Sequence, residues 1–508
     1  MLGTTIRAMV MGLTLSVVTL GTIGAVQAQD PQADLEQGRK LVIMHTNDLH
    51  GNIEADSKGR GGITRLATLI RQVRQENPNC VIYLDAGDDA QGTPVSNIFY
   101  GEPTFKAIKS MDPLAGAIGN HEYDWGLEIH HKMLKNAGYP ILAANVLDKS
   151  GKNVYQPYLI KEINGIKVGV IGLTSVDIPS LVKKGYTGDL QFIDPAQACV
   201  KFLPEMYAKG AELIVAVSHC GVEADKALAE TVPAIDLIVG GHSHTKVEPA
   251  INVGDHTWIV QAGHYGRYLG RIDLQVNPYN GKIFNFESKL IPVDKDLQVE
   301  LDPTVVSIAN EYNEKIRPIM EQEVGVLKGD LKLEKTDTVL DSSLGTAICE
   351  AMRHQSKADM AFYNWGGIRI EAVSGGKVKL DTLFRLLPFD DPVVVVEMKG
   401  KDVIELLNQA LAMTKVGPLQ AAGVEMIADK NTKQVSSLKV QGKAIDPEAT
   451  YRVATTEFLA KGGDSYTAFS KGQIVETAGI TRDVFKDYLA SFKDKGMPVP
   501  KVGNLTLK

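Results

Sequence analysis

Seven side chains able to hold a cation each follow a short apolar run. Leu41 to Thr46 leads into Asn47-Asp48-Leu49-His50, and Val81 to Leu84 leads into Asp85-Ala86-Gly87-Asp88. Ile118-Gly119 precedes Asn120-His121-Glu122, Leu213 to Ser218 precedes His219, and Leu237 to Val239 precedes Gly240-Gly241-His242-Ser243-His244. The donors are Asp48, His50, Asp88, Asn120, His219, His242 and His244. Such oxygen and imidazole groups, without thiolate, suit zinc, manganese or iron. They exceed what one tetrahedral ion accepts, so two divalent ions sharing a carboxylate match the number better. Water held between two cations loses its proton near neutral pH, which makes hydrolysis the chemistry to expect.

The elements that would position these groups are strands. Apolar runs at Leu41-Val42-Ile43-Met44, Val81-Ile82-Tyr83-Leu84, Val168-Gly169-Val170-Ile171, Leu213 to Val217 and Leu237-Ile238-Val239 read as buried strands. Helical patterns such as Ile63 to Gln75 and Pro195 to Lys209 lie between them, which is α/β patterning. In such sheets ligands gather beyond the carboxyl ends of the strands. Val305, Ile308, Tyr312 and Ile316 then recur at helical spacing, predicting a linker helix over 303–324 that ends or kinks near Pro318. A second α/β region fills 325–508, with a helix at Ser343 to His354 and a strand at Val393 to Val396. The first region is expected over 29–302.

The chain has 508 residues, 44% of them hydrophobic and 23% charged, enough for two or three ordinary cores. A net charge of −7 argues against binding a nucleic-acid polymer. Arg7 precedes an uncharged stretch from Ala8 to Ala28 that ends in Val26-Gln27-Ala28. That is the pattern of a cleaved leader over 1–28, with an uncleaved anchor as the alternative. No later stretch is long and apolar enough to span a bilayer, so an extracytoplasmic chain without a membrane span is expected. Cys80, Cys199, Cys220 and Cys349 form no C-x-x-C pair, and so few cysteines cannot be the main source of stability.

Taken together, His45 to Gly51, Gly87-Asp88, Gly119 to Asp124, Ser218-His219 and Gly240 to His244 resemble the motifs of calcineurin-type metallophosphoesterases. More specifically, they resemble the 5′-nucleotidase and UDP-sugar hydrolase family. The resemblance implies an N-terminal α/β/β/α sandwich and a C-terminal α/β nucleotide-binding domain. It implies that Asp48, His50 and His244 bind a first metal, that Asp88 bridges, and that Asn120, His219 and His242 bind a second. His121 and Asp124 match a dyad that binds no metal. On the physical reading, His121 held by Asp124 stabilises the phosphoryl charge and assists the leaving group, as hydroxide attacks in line.

In the second region, Asn364-Trp365-Gly366-Gly367-Ile368-Arg369 is a glycine-rich turn ending in a guanidinium suited to phosphate or carboxylate. Phe458 to Tyr466 holds a second such turn, Gly462-Gly463-Asp464-Ser465. Both segments resemble the C-terminal domain of the same family, as does Leu387-Pro388-Phe389. The resemblance implies that Asn364, Gly367 and Arg369 contact a small nucleotide, that Asp464 holds its ribose and that Tyr466 stacks on its base. The chain departs from the family pattern at Pro418, where a second stacking aromatic is usual, and at Asp390-Asp391-Pro392, where Gly-Asn is usual. Lys415 and Arg385 are the candidates to supply further positive charge, Arg385 from a strand-like run. The expected activity is phosphate release from nucleotides. The alternatives are a 2′,3′-cyclic phosphodiesterase with 3′-nucleotidase activity, and a non-catalytic nucleotide- or metal-binding protein.

Overall fold

The computed structural model describes residues 38–508, apart from 57, 183–184, 278–279 and 414–417. The leader reading at 1–28 and the suggestion for Lys415 fall outside the described residues. Among the described residues, no helix is long and apolar enough to cross a membrane.

The first region is two six-stranded sheets packed face to face. Its strands are β1 (Arg39–Thr46), β2 (Val81–Asp85), β3 (Ala115–Ala117), β4 (Ile141–Leu142), β5 (Tyr158–Ile163) and β6 (Ile166–Thr174). They continue with β7 (Leu213–His219), β8 (Leu237–Gly240), β9 (Ile251–Val253), β10 (Thr257–Val260), β11 (Tyr268–Val276) and β12 (Ile283–Pro292). One sheet has the order β12-β11-β1-β2-β3-β4 and the other β9-β10-β8-β7-β6-β5. Within them β1 to β4 are parallel neighbours, as are β6, β7, β8 and β10. Antiparallel strands close the edges.

Two-sided burial explains why β1 and β7 read as unbroken apolar runs rather than as alternation. Successive side chains point to opposite faces. Leu41 and Ile43 of β1 therefore meet Leu213, Val215 and Val217 of β7 in the layer between the sheets. Val42 and Met44 turn the other way, onto the helices Ile63–Glu76 and Glu102–Ser110. Ile214 and Ala216 likewise face the helices Pro195–Ala208 and Val222–Thr231. The result is an α/β/β/α sandwich.

The helix Pro303–Met320 begins at Asp302, whose carboxylate accepts the Thr304 and Val305 N–H groups at 2.9 and 3.2 Å. It passes Pro318 and ends at Met320. Val305 and Ala309 pack into the first region's helical layer. Beyond it lies a mixed five-stranded sheet of β13 (Met360–Tyr363), β14 (Pro392–Lys399), β15 (Gln420–Ala422), β16 (Thr450–Thr456) and β17 (Gln473–Ile480), ordered β15-β13-β16-β14-β17. Ala361 and Tyr363 face the helices Ser343–Ser356 and Thr481–Ser491, whereas Met360 and Phe362 face Gly400–Ala412. Arg385 lies in a helix, Leu380–Leu386, and not in a strand; its guanidinium pairs with Asp381 one turn earlier. All four cysteines are free.

Candidate active site

The loops after β1 and β2 continue as a ladder past the strand ends. Asp48 N–H donates to Gly87 O at 2.8 Å, His50 N–H to Asp88 O at 2.9 Å, and Gly51 N–H to Asp89 O at 2.9 Å. That pairing carries Asp48, His50 and Asp88 to one rim. Five of the seven candidate ligands, Asp48, His50, Asp88, His242 and His244, have positive φ, between 48° and 74°. Residues with a Cβ adopt this conformation at a cost and do so mostly where a site demands it. Gly119 permits the close approach of the next loop, since a Cβ there would lie 2.1 Å from Asp88 Oδ1.

Two donor groups result. Asp48, His50 and His244 have ligand atoms within 4.8 Å of one another, and so do Asp88, His219 and His242. In the first, His50 Nε2 and His244 Nε2 are 3.0 Å apart, and His244 Nε2 is 3.3 Å from Asp48 Oδ1. In the second, His219 Nε2 is 3.0 Å from Asp88 Oδ2. The far nitrogens fix the tautomers. His50 Nδ1–H donates to Gln91 O at 2.9 Å, and His219 Nδ1–H donates to Ala86 O at 2.6 Å. Both Nε2 atoms therefore turn away from the backbone and toward their own donor groups. His219 Nε2 and the buried Asn120 Oδ1 have no aligned hydrogen-bond partner. Burial pushes His50 down to about 4, which keeps it neutral and able to ligate, whereas at His219 burial is outweighed by Asp88, which raises the imidazole to about 10, so a cation there would displace a proton. Converging oxygen and imidazole donors, with buried atoms among them left without a partner, are what cations would satisfy, so the residues fit divalent metal ions.

His121 stands at the edge of these groups, its ring 5.1 Å from that of His50. Its Nδ1 is 2.7 Å from Asp124 Oδ2, and its backbone N–H donates to Asp88 Oδ1 at 2.9 Å. Burial opposes a charge on His121, but Asp124 and Asp88 outweigh it and raise the imidazole to about 10. Carboxylates crowd the floor. Asp89 is pushed well up by burial and then by Asp85, Glu122 and Asp88.

Glu122 was not singled out from the sequence, where it reads as an ordinary first-turn acid. Its carboxylate accepts the N–H groups of Asp88, Asp89, Ala90 and Gly119 at 3.1, 2.8, 3.2 and 2.7 Å. It thereby ties the β2 loop to the β3 loop. The sequence carries no signal for this beyond an acid beside Asn120-His121.

The second region brings some of its candidates together. Asn364 Nδ2 donates to Asp464 Oδ2 at 2.8 Å. Exposed Arg369 donates to Gly366 O at 3.1 Å and lies 5.9 Å from the centre of the Phe389 ring. Gly367 is covered by the Tyr363 ring, so Gly366, exposed beside Asn364 and Asp464, is the glycine a ligand could approach. Tyr466 offers no face for stacking: it is 1% exposed and packs in the core near Phe469. The open aromatic is Phe458, 47% exposed, lying flat against Gly463, where a Cβ would meet its ring at 2.6 Å. Its backbone N–H donates to Asp391 Oδ1 at 3.2 Å, two residues along the chain from exposed Phe389. The Gly462-Gly463 pair was the available signal, because a glycine lets a ring lie on the backbone.

Fold and site together define a metal-dependent phosphoesterase with a second, C-terminal α/β domain. The calcineurin-like phosphoesterase model matches residues 41–246, and the 5′-nucleotidase C-terminal domain model matches residues 323–471. The 5′-nucleotidase of Vibrio cholerae serotype O1 is 32% identical, over 95% of this chain and 96% of its own. Protein UshA of Escherichia coli is 28% identical, over 94% and 95%. The 5′-nucleotidase precursor from Thermus thermophilus superposes with a TM-score of 0.64 at 27% identity, covering 92% of this chain and 99% of that one. The chain belongs to the 5′-nucleotidase family, and it is a metal-dependent nucleotide hydrolase.

Proposed function

We propose that the chain is an exported 5′-nucleotidase that releases phosphate from nucleoside 5′-monophosphates and also cleaves the pyrophosphate bond of UDP-sugars. The observation that carries this reading is the pair of converging donor groups beside the His121–Asp124 dyad. Asp48, His50 and His244 would hold one divalent ion, Asn120, His219 and His242 the other, and Asp88 would be shared. Such ions, zinc or manganese by their donors, supply positive charge against the phosphoryl oxygens and make water acidic at neutral pH.

The chain's own groups do the rest. His121, kept protonated by Asp124, neutralises the phosphoryl oxygens and gives its proton to the leaving oxygen. Water attacks phosphorus opposite that oxygen, and the proton that the water brings leaves the phosphate product to restore His121. Asn364 and Asp464 receive the ribose hydroxyls, Arg369 pairs with phosphate, and Phe458 stacks on the base in place of Tyr466. Residues 325–508 thus choose the substrate, 29–302 perform the chemistry, and 303–324 link them. The leader at 1–28 is removed on export, leaving the mature chain in the periplasm or medium.

The test is phosphate release by the mature chain from AMP, UDP-glucose, 2′,3′-cyclic AMP and ATP, with chelator and with zinc or manganese restored. Turnover of AMP and UDP-glucose that chelator abolishes is expected. Turnover of the cyclic nucleotide alone would replace this reading with the phosphodiesterase one. Nucleotide binding without release under any metal would leave a binding protein.

A further inference from the structure

One carboxylate is shared between the two regions. Asp390 lies in the turn before β14, and its two oxygens serve different halves of the molecule. Oδ1 takes a hydrogen bond from Arg482 on the helix Thr481–Ser491. Oδ2 takes hydrogen bonds from Gln91 Nε2, at 3.0 Å, and from Asn97 Nδ2. Arg482 is 4% exposed, donates to Leu387 O at 3.0 Å and stacks 3.8 Å from the centre of the Phe384 ring. A buried guanidinium so held keeps Asp390 fixed on its own side. The carboxylate is then free to grip the other side only through Oδ2.

What it grips is the backing of a metal ligand. The Gln91 carbonyl is the group that accepts His50 Nδ1–H at 2.9 Å. Asn97 Oδ1 accepts the N–H of Gly92 at 2.7 Å, closing the turn between the two gripped residues. Gly92 lies so near that a Cβ would sit 2.1 Å from His50 O. Asp390 therefore holds both ends of a turn that fixes the tautomer and direction of His50. Outer partners of ligating histidines set ring orientation and metal affinity.

We infer that Asp390 is a positioning residue of the metal centre: through Gln91 and Asn97 it couples the seating of the C-terminal region to the cation site of Asp48, His50 and His244. This rests on the metal-centre reading given above. The seated C-terminal region thus tightens one cation site of two. In the reverse direction, a cation at His50 stabilises that docking.

The test is a chelator-competition titration of the mature chain with Zn²⁺, following the two bound equivalents separately. Gln91→Ala keeps the backbone carbonyl and the Asp390–Arg482 pair. It should weaken one equivalent about tenfold and leave the other within about twofold, the range that outer partners of ligands command. Asp390→Ala should do the same, and the double variant should be no weaker than either single one. Unchanged affinity for both equivalents in a folded Gln91→Ala overturns the inference. So does equal weakening of both, which would mean general loosening. If Asp390→Ala fails to fold because Arg482 is stranded, Gln91→Ala and Asn97→Ala decide alone. A parent chain that binds no Zn²⁺ would overturn the metal centre itself, and this coupling with it.

Discussion

His121 and Phe458 are the residues on which chemistry and recognition separate. His121 touches neither donor group through its ring nitrogens; Nδ1 faces Asp124. Truncating it should therefore spare the cations and slow the chemical step. His121→Ala is expected to keep the parent's metal content by elemental analysis and to lose about 100-fold or more in kcat, the lower range for a positioned acid. Parallel loss of metal, with unchanged turnover per bound ion, would remove its assigned role. Phe458 and Tyr466 give the opposite contrast. One stacked base is worth about 1–3 kcal/mol, so Phe458→Ala should raise KM for AMP by roughly tenfold with kcat little changed. Tyr466→Ala should instead cost about 3 kcal/mol of stability, because it empties a core site. A KM effect confined to Tyr466→Ala would reverse the assignment.

Elements bring these residues into register, and one side chain holds two of their loops. Glu122 takes four backbone N–H groups from the segments after β2 and β3. Glu122→Ala would strand them in a buried site, at about 1–3 kcal/mol for each donor left without a partner. The variant should unfold at clearly lower denaturant and bind cations poorly at the Asp88 group; parent-like stability and loading would show the ties to be idle. The next helix, Gly126–Ala137, buries His130 against Tyr123, with rings 4.0 Å apart, and between Glu122 O and Tyr155 Oη. Burial pushes His130 down to about 4. The unfolded chain takes up this proton below about 6.5, the folded chain only below about 4. His130 therefore costs stability as pH falls through that window, by about 1.4 kcal/mol per pH unit. Denaturant unfolding of His130→Gln at pH 7 and pH 5 should show a correspondingly smaller loss than the parent, and an equal loss would exclude His130 as the sensor. The strand ends were legible because the donors are rare residue types that recur after apolar runs. Phe458 and Tyr466 were not distinguishable, since both are aromatics in one motif and only packing reveals which ring is covered. Asp390 showed in the sequence only as a departure from the family pattern, because its partners at 91 and 97 lie about 300 residues away.

At the scale of the whole molecule, the apolar cores do not mix. Among the described residues, every buried cluster lies either at or before Ala309 or at or beyond Leu327. The helix Pro303–Met320 packs with the first region, through Val305, Ala309 and the Tyr312 hydroxyl, which donates to Glu102 at 2.6 Å. Regions with separate cores and a polar contact between them unfold as separate units. Among the described residues the candidate cation groups lie in the first, where Asp48, Asp85, Asp88, Asp89 and Glu122 are each at most 3% exposed and repel one another. Removing the ions should then lower one calorimetric transition and leave the other nearly in place. A cation at a hundred times its Kd adds about 2.7 kcal/mol to the unit that holds it. For a unit of this size that shift is several degrees, so calorimetry with and without chelator should separate two peaks that overlap in the loaded chain. Because Asp390 joins the units, the metal-insensitive peak should still move slightly, and Gln91→Ala should abolish that small movement. A single transition that shifts as a whole would mean that the two cores unfold together and that the polar contact between them is far stronger than its few hydrogen bonds suggest.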